Sequence, residues 1–203
     1  METLTLFHRE DFTLRPDQAE ILSWLRCGET LPCREAFLLE WDRAASLLES
    51  CAEPAAAAAV TAPGELTVLL TLGPEAEASV HRLFLAGEYV AGSLLNTLCD
   101  QMLFQMDNQV LPLMQRRLAA EGRFAADRWE PALNAAASEL RAKISPMTAV
   151  FPWLKVSGSG TLWPTKSMLY GVKLAQEPCG RPMMLHDCAR CPQTDCLYRK
   201  PGC

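Results

Sequence analysis

The sequence predicts an α+β fold: a twisted antiparallel or mixed sheet with flanking helices, followed by a cysteine-rich tail. Three observations carry this reading. Helical periodicity dominates residues 15–122, interrupted by one β-rich run, "ELTVLLTLG" at 65–73. From residue 123 the texture changes to Gly, Ser, Pro and β-forming residues. Five of the nine cysteines then crowd into residues 179–203. Helices before and strands after argue against an alternating βαβ chain. The 203 residues suffice for one good core or at most two small domains. The expected organisation is a domain over 1–178, with an Ala/Pro-rich connector at 52–64, and a tail over 179–203.

A short strand is expected near "LTLF" in the first 15 residues. "RPDQAEILSWLRCGE" then reads as a helix, capped by Asp17, striped by Ile21, Leu22 and Leu25, and ended by Gly28. "PCREAFLLEWDRAASLLESC" is a longer helix, since Phe37, Leu38, Trp41, Ala45 and Leu48 recur every three to four residues. The run at 65–73 is a buried strand, and Pro74 opens the next helix at its first position. "YVAGSLLNTLCDQMLFQMDNQVL" is helical, with Ala91, Gly92 and Ser93 permitting close packing. Pro112 is expected to kink or break it. "RFAADRWEP" reads as irregular, and "PALNAAASELRAK" as a short helix with Pro131 at its start. Residues 150–174 read as two or three strands with tight turns.

Composition is that of an ordinary globular protein, 49% hydrophobic and 21% charged. The longest apolar run, 66–73, is too short to cross a membrane, and the first residues lack the pattern of a signal peptide. These features predict a cytoplasmic protein. Net charge is −5, divided unevenly: residues 1–100 hold 6 basic and 16 acidic side chains, residues 101–203 hold 13 and 8. The basic half either faces an anionic ligand or acidic partner, or neutralises the acidic half within one fold. No dense Lys/Arg run speaks for nucleic acid.

Nine cysteines in a cytoplasmic chain argue against a disulfide framework. Cys27, Cys33, Cys51 and Cys99 fall in helical patterns and read as small hydrophobes. In "DCARCPQTDCLYR", by contrast, Cys188 and Cys191 have two residues between them, and a tight turn there brings both sulfurs toward one centre. Cys196 supplies a third ligand, and Cys179 is preferred as the fourth over His186 or Cys203. Four thiolates suit structural zinc or an iron–sulfur cluster, and the polar tail is too short to build its own core. Unliganded thiols and a dithiol redox pair are the other readings.

Two blocks in order carry a resemblance. "LTVLLTLGPEAEASVHRLFLAGEYVAGSLLNTLCDQ" and "GTLWPTKSMLYGVKL" resemble the activation domain of vitamin B12-dependent methionine synthase, in particular its short stand-alone bacterial forms. Pro164–Ser167 matches the Pro-x-Lys-Ser of those forms, and the terminal Cys-x-x-Cys is similar too. The resemblance covers roughly residues 65–200. It implies a C-shaped domain with a twisted antiparallel sheet that binds S-adenosylmethionine beside a corrinoid. There the methyl group and an electron donor restore methylcobalamin after accidental oxidation.

The resemblance lays the family's ligand motif, Arg-x-x-Pro-Gly-Tyr, on "RFAADRWEP". Arg123 matches the carboxylate-gripping arginine and Pro131 a later proline. Ala126, Asp127 and Arg128 replace Pro-Gly-Tyr, which changes the turn, adds an acid and exchanges an aromatic ring for a cation. The candidate ligand-binding set is thus Arg123, Ala125, Arg128, Lys166 and Tyr170, with no catalytic residue. Read from the residues alone, Arg123 is either a carboxylate clamp or a surface arginine after a Gly turn. Lys166 either meets an anion or partner or guards a strand edge. Tyr170 reads as structural.

Three functions follow. The first is an accessory protein for a corrinoid-dependent methyltransferase, docking on a corrinoid-binding protein or on a methionine synthase lacking its own activation domain. Cobalamin is then presented by that partner. The second is a non-catalytic interaction module that has lost adenosylmethionine binding. The third is a thiol or iron–sulfur redox protein.

Overall fold

In a computed structural model of the chain, residues 4–25, 32–130, 136–178, 196 and 198 are described. Five strands form one antiparallel sheet: β1 (Thr5–Phe7), β2 (Ala55–Ala62), β3 (Glu65–Thr71), β4 (Phe124–Trp129) and β7 (Ser167–Ala175), in the order β1-β2-β3-β7-β4. Helices α1 (Gln18–Trp24), α2 (Pro32–Cys51), α3 (Pro74–Leu85) and α4 (Tyr89–Ala120) accompany it. A smaller unit adds helix α5 (Ala137–Ile144) and a two-stranded ribbon of β5 (Lys155–Val156) and β6 (Leu162–Trp163). The architecture is α+β, as the sequence predicts.

Strand pleating divides the buried side chains into two cores. Ala56, Ala58, Val68, Leu70, Tyr170 and Val172 pack with Leu94, Leu98, Met102 and Met106 of α4. Ala57, Ala59, Leu69 and Leu169 belong to a second core with Leu140, Ile144, Met147 and Phe151. The sheet is therefore the middle of three layers.

Several expectations are met in detail. Asp17 caps α1 by accepting the Glu20 amide at 3.0 Å. Gly73, at φ 79°, turns the chain out of β3, and Pro74 opens α3. Gly92 faces Phe84 closely enough that an added Cβ meets its ring at 3.2 Å. Gly28 and Pro131 lie outside the described residues.

Three expectations are corrected. The 52–64 connector is in large part strand β2, near the centre of the sheet. Alanine is a poor strand former, but Ala56, Ala57, Ala58 and Ala59 are buried on both faces, where small side chains let both outer layers approach. Pro112 does not break α4, which runs 32 residues through it. Its ring and Asn108, four residues earlier, both lie on the exposed side, where water can take the carbonyl that proline leaves unbonded. The segment 124–129 is regular strand β4 with one bulge.

That bulge sets the geometry of everything below. Ala125 pairs with Leu174 and Asp127 with Lys173, so Ala126 is an extra residue. It shifts the alternation by one. Arg128 therefore shares the face of its partner Val172, toward α4, while Trp129 falls on the opposite face, over Gly171. A Cβ at Gly171 would lie 2.1 Å from the Trp129 ring, which also carries the Lys143 ammonium 4.2 Å from its centroid. Gly171→Ala should thus destabilise the fold by about 1–3 kcal/mol through overpacking, measured by urea denaturation. Unchanged stability would show that Trp129 does not seal this strand.

Candidate functional site

Helix α4 presents two acids seven residues apart, Asp100 and Asp107, in a largely apolar helix. Two helical turns separate them, so they lie along one side. Each is met by a base from the sheet region.

At the first, Asp107 Oδ2 accepts from Arg128 Nη1 at 2.7 Å. The two side chains are 6% and 4% exposed, so the ion pair is buried. Arg128 Nη2 donates to Glu130 Oε1 at 3.0 Å. Its guanidinium also lies 3.9 Å from the centroid of the Tyr170 ring, a cation–π contact in a dry setting. Burial, and then the Asp107 charge, push the Tyr170 hydroxyl well above its usual range, so it stays protonated. Asp107 Oδ1, Arg128 Nε and the Tyr170 hydroxyl have no hydrogen-bond partner within the described residues.

At the second, Lys166 Nζ donates to Asp100 Oδ1 at 2.7 Å and to the Asn96 carbonyl at 3.2 Å. Asp100 Oδ2 accepts from the Tyr198 hydroxyl. Burial and the Asp100 carboxylate raise that hydroxyl far above its usual value, keeping it a donor.

The structure therefore brings together Arg128 and Tyr170, and sets Lys166 in the second cluster on the same helix. Ala125 is buried in the sheet. Arg123 sits apart, pairing with Glu121 just after α4. It lines a cleft of about 20 Å³, room for roughly one water. A groove of about 580 Å³ lies between the 9–16 segment and the end of α2, bounded by residues such as Phe12, Leu48 and Met102. None of the five candidates lines it. As arranged, Arg128 and Lys166 are held by internal carboxylates.

Cys179, Cys188 and Cys191 lie outside the described residues. Cys196 is half-buried. Among the described residues no group of three or more His, Cys, Asp or Glu side chains is arranged to hold a metal. Cys99 is buried, and that burial pushes its thiol up to about 12.

Sequence reading missed the two acids and a second set on α4. Gln101, Gln105 and Gln109 each bind one residue of an extended segment through both amide groups. Gln109 accepts from Thr13 N at 2.7 Å and donates to its carbonyl at 2.8 Å. Gln105 does the same for Arg15 at 2.9 and 2.6 Å, and Gln101 for Asp17 at 2.9 and 3.2 Å. Four helical residues rise about 6.0 Å and two extended residues about 6.6–6.8 Å, so the ladders match. The four-residue glutamine spacing was the available signal.

No helix among the described residues is long and apolar enough to cross a membrane. No protein-family profile matches the sequence, and no curated protein matches it. Among solved structures, the chain is similar to the crystal structure of the MetH reactivation domain bound to AdoHcy, at a TM-score of 0.48 and 10% identity, covering 84% of this chain and 78% of that one.

Two predictions follow from this geometry. Asp107→Ala strands the buried Arg128 charge and should cost about 3–5 kcal/mol in urea unfolding, while a double Asp107→Leu, Arg128→Met variant recovers most of it. Equal losses in both variants would contradict the pairing. Cys99 should resist iodoacetamide in the native protein at pH 8, read by peptide mass spectrometry, because its thiol stays protonated there.

Proposed function

We propose that this protein is an accessory of a corrinoid-dependent methyltransferase that acts as a docking module and does not hold adenosylmethionine on β4. The ordered blocks at 65–100 and 160–174 support the corrinoid link. One observation carries the loss of ligand. In the segment on which the resemblance lays the ligand motif, Arg128 is committed to Asp107, Glu130 and the Tyr170 ring. The Ala126 bulge turns it inward, where a Pro-Gly turn and a tyrosine would present a different surface.

The described residues fit a positioning role. The buried thiols Cys51 and Cys99 have raised pKa values, which disfavours thiolate chemistry. Asp100 and Asp107 are neutralised by Lys166 and Arg128. The partner is a corrinoid-binding protein, or a methionine synthase without its own activation domain, and it presents the cobalamin. The tail thiols Cys179, Cys188, Cys191 and Cys196 form a zinc or iron–sulfur clasp in this reading.

Isothermal titration calorimetry of the full chain tests it. Adenosylmethionine should give no saturable heat, while a cobalamin-loaded corrinoid domain should bind. Saturable adenosylmethionine binding overturns the loss of ligand, and failure of every corrinoid domain to bind overturns the accessory role.

A further inference from the structure

Tyr198 belongs to no helix or strand of the fold, yet it is half-buried and its ring packs on two others. It meets Trp24 at 4.9 Å between centroids and 76°, and Phe104 at 5.3 Å and 64°. Trp24 and Phe104 meet each other at 5.8 Å and 74°. Three rings thus form an edge-to-face triangle, the arrangement that aromatic quadrupoles favour. The Tyr198 hydroxyl reaches Asp100 Oδ2, while Lys166 Nζ donates to Oδ1 at 2.7 Å.

This seat has three parts: a slot between the Trp24 and Phe104 rings, an anionic acceptor at its end, and a cation behind the acceptor. Phenylalanine satisfies the slot alone. A phosphorylated or carboxylated ring brings a second negative charge against Asp100. The seat therefore selects a neutral phenol.

Its walls stand without Tyr198. Phe104 and Asp100 belong to α4. Trp24 ends α1, whose start is bolted to α4 through Gln101, which grips the Asp17 backbone and donates to Glu20 Oε2 at 2.7 Å. Lys166 is tied to the Asn96 carbonyl as well as to Asp100. A preformed recess of this kind loses little entropy on binding.

We propose that Trp24, Phe104, Asp100 and Lys166 form a tyrosine-docking recess that Tyr198 fills in cis, clasping the C-terminal segment to the body. Cys196 stands two residues before the clasp. Two extended residues span at most about 7 Å, so the clasp fixes this thiol close to α4. The inference is independent of any corrinoid partner.

The full-length protein and its Tyr198→Ala and Tyr198→Phe variants test it. p-Cresol is the probe, followed by saturation-transfer NMR, and Cys196 alkylation by iodoacetamide, in protein stripped of any bound metal with a chelator, is followed by peptide mass spectrometry. Tyr198→Ala should bind p-cresol saturably while the wild type does not. Toluene should bind about tenfold more weakly, for want of the bond to Asp100. Cys196 should alkylate about tenfold faster in Tyr198→Phe than in the wild type, and faster still in Tyr198→Ala. The proposal fails if folded Tyr198→Ala, judged by circular dichroism, does not bind p-cresol, or if all three proteins alkylate at one rate. Should Tyr198→Ala not fold, the Tyr198→Phe rate decides: acceleration supports the clasp, and an unchanged rate overturns it.

Discussion

The buried ion pair between Arg128 and Asp107 holds the far edge of the sheet to its main helix. Among the described residues β4 is an edge strand, paired on one side only, to β7. Edge strands are weakly held unless something covers or tethers them. Here Arg128 reaches across to α4, and Trp129 closes over Gly171 on the other face. Burying the two charges is costly in isolation, so each depends on the other. The Tyr170 ring beneath the guanidinium adds a contact that a lysine would make less well. Hence a single bulged residue, Ala126, decides whether this strand is a tether or a surface.

α4 is the common partner. It takes the sheet on one side, the 13–17 segment on its glutamines, and Tyr198 between Phe104 and Asp100. Its apolar residues build the larger core, and Asp100, Gln101, Gln105, Asp107 and Gln109 each bond a distant partner. The glutamine ladder offers the 13–17 backbone what a neighbouring strand offers, with donor and acceptor in register. A helix so used is a scaffold that collects the 13–17 segment and Tyr198.

How much of this the sequence discloses depends on the range of the interactions. Local chemistry is legible: the Asp17 cap, the Gly73–Pro74 turn and the β-rich run at 65–71 are written in neighbouring residues. Elements dictated by tertiary surroundings are not. Ala55–Ala62 becomes a strand because both faces are covered, which its own propensity does not announce. Pro112 is tolerated because it faces outward, and orientation within a helix this long is set by its neighbours. For the site, Arg123, Arg128, Lys166 and Tyr170 stand out as residue types. What they do is fixed by acids 66 residues away for Lys166 and 21 for Arg128. No local pattern pairs a particular base with a particular acid at that separation.

In the proposed function β4 serves the fold and does not hold a ligand. The most direct measurement is a crystal structure of the full chain soaked with adenosylmethionine, with anomalous data collected for bound metal. Arg128 should be bonded to Asp107, with no adenosylmethionine density along 123–130. Adenosylmethionine seated there, with its carboxylate on Arg123 or with Arg128 turned away from Asp107, would contradict it.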